Sequence, residues 1–479
     1  MVKDLTIRAL IKDIQDLTLR LEKVERENRR LHHENTQLKA DIAGIKAENK
    51  DLRARLESNS HNSNKPPSSD GYKKQTIKPG LPKGKVSSRG GQKGHKGNTL
   101  KQVESPDEIV PCVPDICTCG HKFKKDQLIL AEKRQVFDLP QPKLEITEYQ
   151  IFKASCTVCG KEQKGVAPEG VNAPAQYGNK VKAFAVLLNV HYKLPFKKIQ
   201  LLFSDLFGYP INESTISLAG EKCYEKLKES ERIIKSKIIA ENVVHADETG
   251  LRIAGKLHWL HTATTSLYTY LFVHEKRGAG AIQSNKSVLR DYIGWLVHDC
   301  WGSYFNLEKL RHAICGAHIL RELEGLIETR ETKWAKVFKP FLLSVYRMPL
   351  EERIRRRQQI ESKYDCICTI GEKAEPPPMK TKGKYKRTPG RNLVERLIRE
   401  KDAVLAFAFN EGVPFTNNLA ERDIRPAKVK QKISNCFRTF KGAEIYARIE
   451  GFISTARKNN RSIFSELCAT FEGHNFITA

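Results

Sequence analysis

Asn242-Val-Val-His-Ala-Asp247-Glu-Thr-Gly250 is a short apolar run that ends in an acid and a glycine, the pattern of a buried strand that carries its carboxylate to a sheet edge. Two runs rich in aromatic and β-branched residues follow, Leu257-His-Trp-Leu-His-Thr-Ala-Thr264 and Leu267-Tyr-Thr-Tyr-Leu-Phe-Val273. The short links Ala254-Gly255-Lys256 and Thr265-Ser266 join them into an expected meander. A helix is expected over residues 281–292, and Gly294-Trp-Leu-Val-His-Asp299-Cys-Trp-Gly302 reads as a fourth strand that ends in a second acid. The order is β-β-β-α-β, with acids on the first and fourth strands. Glu248, next to Asp247, falls on the opposite face of its strand and is a poor substitute for it.

Composition limits what surrounds this stretch. The 479 residues are enough for about three domains. Lys and Arg number 83 against 56 Asp and Glu, a formal charge of +27, which favours a polyanionic partner such as nucleic acid. No run of about 18 apolar residues offers a membrane span, and the charged, heptad-patterned first residues lack the apolar centre of a signal peptide. A cytosolic chain without a membrane is expected. Its 12 cysteines then read as thiols or metal ligands rather than a disulfide framework.

Before the acidic strands the chain changes character several times. Residues 1–57 hold an uninterrupted heptad, with d positions Leu10, Leu17, Val24, Leu31, Leu38, Ile45 and Leu52 and a positions Ile14, Leu21, Asn28, Asn35, Ile42, Asn49 and Leu56. Asn at three a positions weakens the seam but bonds to its mate across a parallel dimer, so a parallel coiled-coil homodimer is expected. Residues 58–102 read as a basic disordered linker containing Gly90-Gly-Gln-Lys93-Gly-His-Lys96-Gly97, in which Lys93 and Lys96 are candidates to follow a phosphate backbone. Cys117-Thr-Cys119-Gly and Cys156-Thr-Val-Cys159-Gly place two thiols each in Gly-terminated turns, and four thiolates on two knuckles suit structural Zn²⁺. Cys112 or His121 could replace a ligand of the shorter first pair. A strand-like run, 144–152, lies between the pairs. Residues 174–240 read as helical, and Pro195–Gly208 followed by Asn212–Ser217 resembles a helix-turn-helix capped at Ser214.

After Asp299 the sequence predicts a helix from Leu307 to Ile327 containing Cys315-Gly-Ala-His318, whose Cys and His share a face and could either hold a metal or pack. Helix is expected again over 334–369, then a basic, Pro-rich loop over 371–391 and a helix over 392–409. Pro414-Phe-Thr-Asn417-Asn418-Leu-Ala-Glu421-Arg422-Asp423-Ile-Arg425-Pro426 has the form of a capped helix start. It also offers a third acid, with Arg422 and Arg425 beside it as candidate phosphate contacts. Asp247, Asp299 and Glu421 together are an oxygen-only set that suits Mg²⁺ or Mn²⁺ and two-metal phosphoryl chemistry.

His245-Ala-Asp247-Glu-Thr, His298-Asp299, Asn417-Asn-Leu-Ala-Glu421-Arg-Asp-Ile-Arg-Pro, Thr455-Ala-Arg-Lys458, the paired cysteines and the leucine-zipper start together resemble the TnpC-type transposases of bacterial insertion sequences, the insertion sequence 66 family. The resemblance covers nearly the whole chain and departs from it at the C-x-C of the first pair and in residues 476–479, which hold no Pro-Trp. It implies a ribonuclease H-like core with a helical insertion between the second and third acids. It implies a catalytic triad of Asp247, Asp299 and Glu421, and a DDE transposase that binds terminal inverted repeats, cuts 3′ ends and joins them to target DNA. It also implies accessory proteins of the same element as partners and a bacterial, nucleoid-associated setting.

The expected architecture is a multidomain α+β chain. Its parts are a coiled coil (1–57), a linker (58–102), a zinc-binding domain (103–173), a helical DNA-binding region (174–240), a ribonuclease H-like α/β catalytic core (241–305 and 411–460) with an all-α insertion (306–410), and a C-terminal tail (461–479). A metal-dependent nuclease of the same fold and a non-enzymatic dimeric zinc-finger regulator are the alternatives.

Overall fold

The structure, a computed structural model, describes residues 2–59, 61–63, 99–114, 116–381 and 384–478. They group into two compact units, one within residues 1–81, 231–431 and 436–459, the other within 82–230, 432–435 and 460–479. The first helix, α1 (Val2–Glu57), runs for 56 residues without a break, and its heptad side chains Leu17, Val24 and Leu38 stand open to solvent. Its last turns touch the same unit, where Asp51 pairs with Arg330 at 2.5 Å.

The second unit carries the cysteine pairs on two similar turns. In one, Cys117 N–H donates to His121 and Gly120 N–H returns to Cys117, both at 2.8 Å; in the other, Cys156 N–H donates to Lys161 and Gly160 N–H returns to Cys156, both at 2.9 Å. Gly120 and Gly160 close these turns at φ +89° and +69°, a region that Gly enters without a Cβ penalty. The strands beside the second turn are β1 (Lys153–Ser155) and β2 (Glu162–Lys164). The expected strand over 144–152 does not form: its side chains are nearly all exposed on both faces, and no neighbouring strand pairs with it. Helices α2 (Asn179–Val186), α3 (Phe196–Phe207) and α4 (Glu213–Lys226) follow and enclose Ala185, Leu188, Ile199, Phe203, Ile211 and Ile216. Gly208 ends α3 at φ +73°. The cap of α4 is Asn212, whose side chain accepts Ser214 N–H at 3.0 Å. Ser214 was the expected cap, but it is already helical and is the donor that needs capping.

Helix α5 (Lys228–Ile239) leads to the central sheet. Its strands are β3 (Val243–Ile253), β4 (Lys256–Thr264), β5 (Thr269–His274), β6 (Trp295–His298) and β7 (Arg311–Ile314), in the order β5-β4-β3-β6-β7. The first three form the expected antiparallel meander, and β6 and β7 run parallel to β3. A two-residue turn, Ala254 at φ +47° and Gly255 at φ +78°, sets the β3–β4 register.

Two helices differ from expectation. Over 281–292 only α6 (Ala279–Ile282) is helical, because the Ser284 and Ser287 hydroxyls bond nearby backbone groups and hold turns instead. The helix expected from Leu307 is preceded by β7, an edge strand of four residues, and α7 (Gly316–Arg330) begins only after it.

The chain beyond is α8 (Lys333–Arg347), α9 (Leu350–Arg355), α10 (Arg357–Ala374), a small hairpin of β8 (Met379–Thr381) and β9 (Lys384–Lys386), α11 (Pro389–Arg399) and α12 (Lys401–Phe409). The expected loop at 371–391 therefore contains the end of a helix, a hairpin and the start of another helix. Leu323, Phe338, Leu342, Tyr364, Val394 and Leu405 form the core of this helical part, while Val297, Ala313, Ala406 and Val413 seat it on the sheet. Helices α13 (Asn418–Ser434), α14 (Phe440–Lys458) and α15 (Ile463–Glu472) complete the chain, and α15 packs beside α2 and α4 in the second unit.

Candidate active site

The parallel register places His245 of β3 opposite Val297 of β6. Two residues further on are Asp247, inside β3, and Asp299, the first residue beyond β6, so the parallel register carries two carboxylates to the same level of neighbouring strands. Asp247 Oδ1 accepts Glu248 N–H at 2.8 Å, and Asp299 Oδ1 accepts Trp301 N–H at 2.9 Å. Burial pushes the Asp247 carboxyl well above the usual carboxylate range, and the negative charges of Glu248, Asp299 and Glu421 push it further. Asp299 is also raised, mainly by burial, against the Trp301 N–H and the positive charges of Arg277 and Arg396. Crowded acids that resist ionisation are what a divalent cation would relieve.

Glu421 stands on the first turn of α13, where its charge acts on Asp247, but among the described residues the three acids are not gathered within 4.8 Å as one ligand set. Glu421 Oε2 accepts from Arg425 Nη2 at 3.1 Å. Its Oε1 is 3.7 Å from Arg321 Nη2 and 4.0 Å from His318 Nδ1, and is buried without a hydrogen bond.

What brings the α13 start to β3 is Asn417. Its Nδ2 donates to the Ala246 carbonyl at 2.7 Å, so its Oδ1 must accept from His245 Nδ1 at 2.9 Å. Burial lowers His245 to about 4, which leaves a neutral ring with its proton on Nδ1. The Asn417 backbone N–H donates to Cys315 Sγ at 3.1 Å. Asn417, expected as a helix cap, thus spends its side chain on the strand that bears Asp247. The pair Asn417-Asn418 was the visible signal, since only one Asn is needed for a cap.

Two further polar groups support the site. Glu248 Oε1 accepts from Arg277 Nε at 2.8 Å, and its Oε2 accepts from Tyr304 Oη. Arg277 in turn stacks on Trp259 and Trp301, at 4.9 and 4.2 Å from the ring centres. Asp423 Oδ2 accepts from Lys458 Nζ at 2.6 Å, Thr264 Oγ1 at 2.7 Å and Thr269 Oγ1 at 3.2 Å, while Thr455 Oγ1 accepts Thr269 N–H at 3.0 Å. The Thr455-Ala-Arg-Lys458 motif therefore fastens α14 and α13 to the β4–β5 corner.

Cys315 and His318 lie at the start of α7 and face Glu421, with one donor atom from each of the three residues within 4.8 Å of the others. Among the described residues the four thiols of Cys117, Cys119, Cys156 and Cys159 are not gathered this closely as one set. Each pair is close within itself, and the Cys117 and Cys156 thiols are lowered chiefly by backbone groups of Cys119 and Cys159. Arg422 and Arg425 are exposed. Lys93 and Lys96 lie outside the described residues.

Among the described residues no helix is long and apolar enough to cross a membrane. A search of curated proteins finds no match. A family model described as a family of unknown function (DUF6444) matches residues 8–101. A second, described as Transposase IS66 family, matches residues 174–445, more than half of the chain and all three acids. The chain belongs to the Transposase IS66 family.

Proposed function

We propose that the chain is a DDE transposase that cuts DNA 3′ ends and joins them to target DNA, with Asp247, Asp299 and Glu421 as its catalytic acids. The observation that carries this reading is that Asp247, on β3, feels the negative charges of Asp299, just past the parallel neighbour β6, and of Glu421, on a helix start 174 residues beyond Asp247. The strand order β5-β4-β3-β6-β7, antiparallel on one side and parallel on the other, supports a ribonuclease H-like core.

The donor set is all oxygen, and Asp247 is raised by burial and then by its acidic neighbours, so Mg²⁺ or Mn²⁺ fits. Held by these acids, the ions would supply an activated attacking oxygen and charge stabilisation at the leaving oxygen. Asp247 and Asp299 offer their free carboxylate oxygens, each already oriented by a backbone N–H. Asn417 fixes Glu421 relative to β3, and neutral His245 keeps positive charge away from the acids. Exposed Arg422 and Arg425, together with Lys93 and Lys96, would bind phosphates. The solvent-facing heptad of α1 supports a parallel homodimer, and the two matching cysteine turns support structural Zn²⁺. The protein would act on chromosomal DNA in the bacterial cytoplasm, with accessory proteins of its element.

Strand cleavage and strand transfer on duplexes carrying the element's ends test this reading, with Mg²⁺ or EDTA, wild type against Glu421→Gln. Metal-dependent joining that the variant loses is expected. Cutting without joining would replace the transposase chemistry with that of a nuclease. DNA binding with no chemistry under either ion would leave a regulator.

A further inference from the structure

We propose that Cys315, His318 and Glu421 form a second metal site, one that takes a thiophilic divalent ion such as Zn²⁺ in mixed sulfur, nitrogen and oxygen ligation and shares Glu421 with the hard-cation acids.

Two polar atoms at this point of the fold have no hydrogen-bond partner. His318 Nδ1 and Glu421 Oε1 are both buried, both lack a hydrogen bond, and face each other at 4.0 Å. Leaving two such groups unmet is costly, and a cation held between them would meet both. A neutral imidazole nitrogen and a carboxylate oxygen are both ligands. The third donor, Cys315 Sγ, completes a set within 4.8 Å, whereas donors around a tetrahedral ion with bonds of about 2.0 to 2.3 Å stand about 3.3 to 3.8 Å apart. A shift of a few tenths of an ångström at each side chain closes the difference.

Burial pushes the Cys315 thiol up, and neighbouring N–H groups offset only part of that, so the thiolate forms as the ion binds. Cys315 occupies the N-cap position of α7, its Sγ accepts Asn417 N–H at 3.1 Å, and N–H donors at a helix start stabilise a sulfur anion. On binding, the thiol proton leaves to solvent and the sulfur–metal bond forms. One thiolate and one carboxylate balance the two charges of the ion, which matters because Arg321 stands 3.7 Å from Glu421 and Arg396, already paired with Glu322, is also near. Sulfur and imidazole select against Mg²⁺, so the two sites would sort ions by chemistry. The backbone enforces the cluster: a Cβ on Gly316 would stand 2.2 Å from the Phe415 ring, so only Gly lets Cys315 and Asn417 approach.

Co²⁺ titration of the full chain, followed by visible absorption and metal analysis, tests the site. The cysteines at 112–159 contribute equally to wild type and variants, so difference spectra isolate Cys315. Wild type should take up one more ion per chain than Cys315→Ser, with a thiolate-to-cobalt band in the difference. His318→Gln should weaken that ion by at least about tenfold, and it decides the matter if Cys315→Ser does not fold. Equal uptake by wild type and His318→Gln, with unchanged circular dichroism, overturns the site. A difference band that Glu421→Gln leaves untouched overturns the place of Glu421 in it. A chain that takes up the ion yet cuts no DNA in Mg²⁺ would keep this site and remove the DDE chemistry.

Discussion

In the central sheet Leu271, Val273, Leu296 and Val297 have at most 3% of their surface exposed, and the acids beside them are oriented by N–H groups, a guanidinium and a phenol. In the cysteine-bearing segment, Val136, Leu139, Val158 and Val166 have about 90% of theirs exposed, and the strands are three residues long. The sheet holds its polar site in shape through its own core. The cysteine segment has too little buried apolar surface to do so and depends on a ligand or partner to fix it. On the proposed reading, the first region would precede its metal and the second would be made by it.

Removing an acid breaks chemistry but not the sheet. Asp247→Asn should lower Mg²⁺-dependent cleavage by at least about a hundredfold while duplex binding, measured by gel shift, stays within about twofold. Equal loss of both would mean that the sheet is not independent of the binding surface. Chelation of bound zinc, or Cys156→Ser, should make residues 103–173 the first cut in limited proteolysis and leave hydrogen exchange of β3–β5 unchanged. Protection that survives chelation would make the cysteine segment as self-sufficient as the sheet.

A smaller effect sharpens the same contrast. The Asp423–Lys458 pair leaves side-chain exposures of 7% and 10%, and truncating one partner of such a pair costs about 3 to 5 kcal/mol. Lys458→Met should therefore lower the sheet's thermal midpoint by several degrees, and a shift below one degree would show that the hydroxyls of Thr264 and Thr269 suffice.

The smallest effect is in pH. Burial lowers His261 from 6.5 to about 4, so the unfolded chain takes its proton first. The contribution of His261 to stability is full above pH 6.5 and is lost as pH falls towards 4, up to about 3 kcal/mol. His261→Gln should flatten the thermal midpoint over that window; an unchanged slope would assign the pH response to other groups.

How far the sequence could be read follows the same division. Asp247 and Asp299 were visible because each ends an apolar run, and the meander because its aromatic and β-branched residues sit between short turns. Arg311-His-Ala-Ile314 was not, since four residues are too few for an alternation to stand out against the helix that follows. The partnership of Asn417 with His245 spans 172 positions, and no local pattern carries such a contact. Cys315 and His318 were visible as a pair, but their third member arrives only through the fold.

Gly316 N–H donates to the Phe415 carbonyl at 2.8 Å, and Asn417 N–H reaches Cys315 across 102 positions. The helical excursion from the sheet therefore departs and returns at a single point, like a bag drawn shut at its neck. Because closing a loop costs little more when the loop grows, helices inside the bag can be lengthened, shortened or exchanged without moving Glu421 relative to Asp299. Variation in size among such chains would then gather between residues 316 and 415, while the neck keeps its glycine.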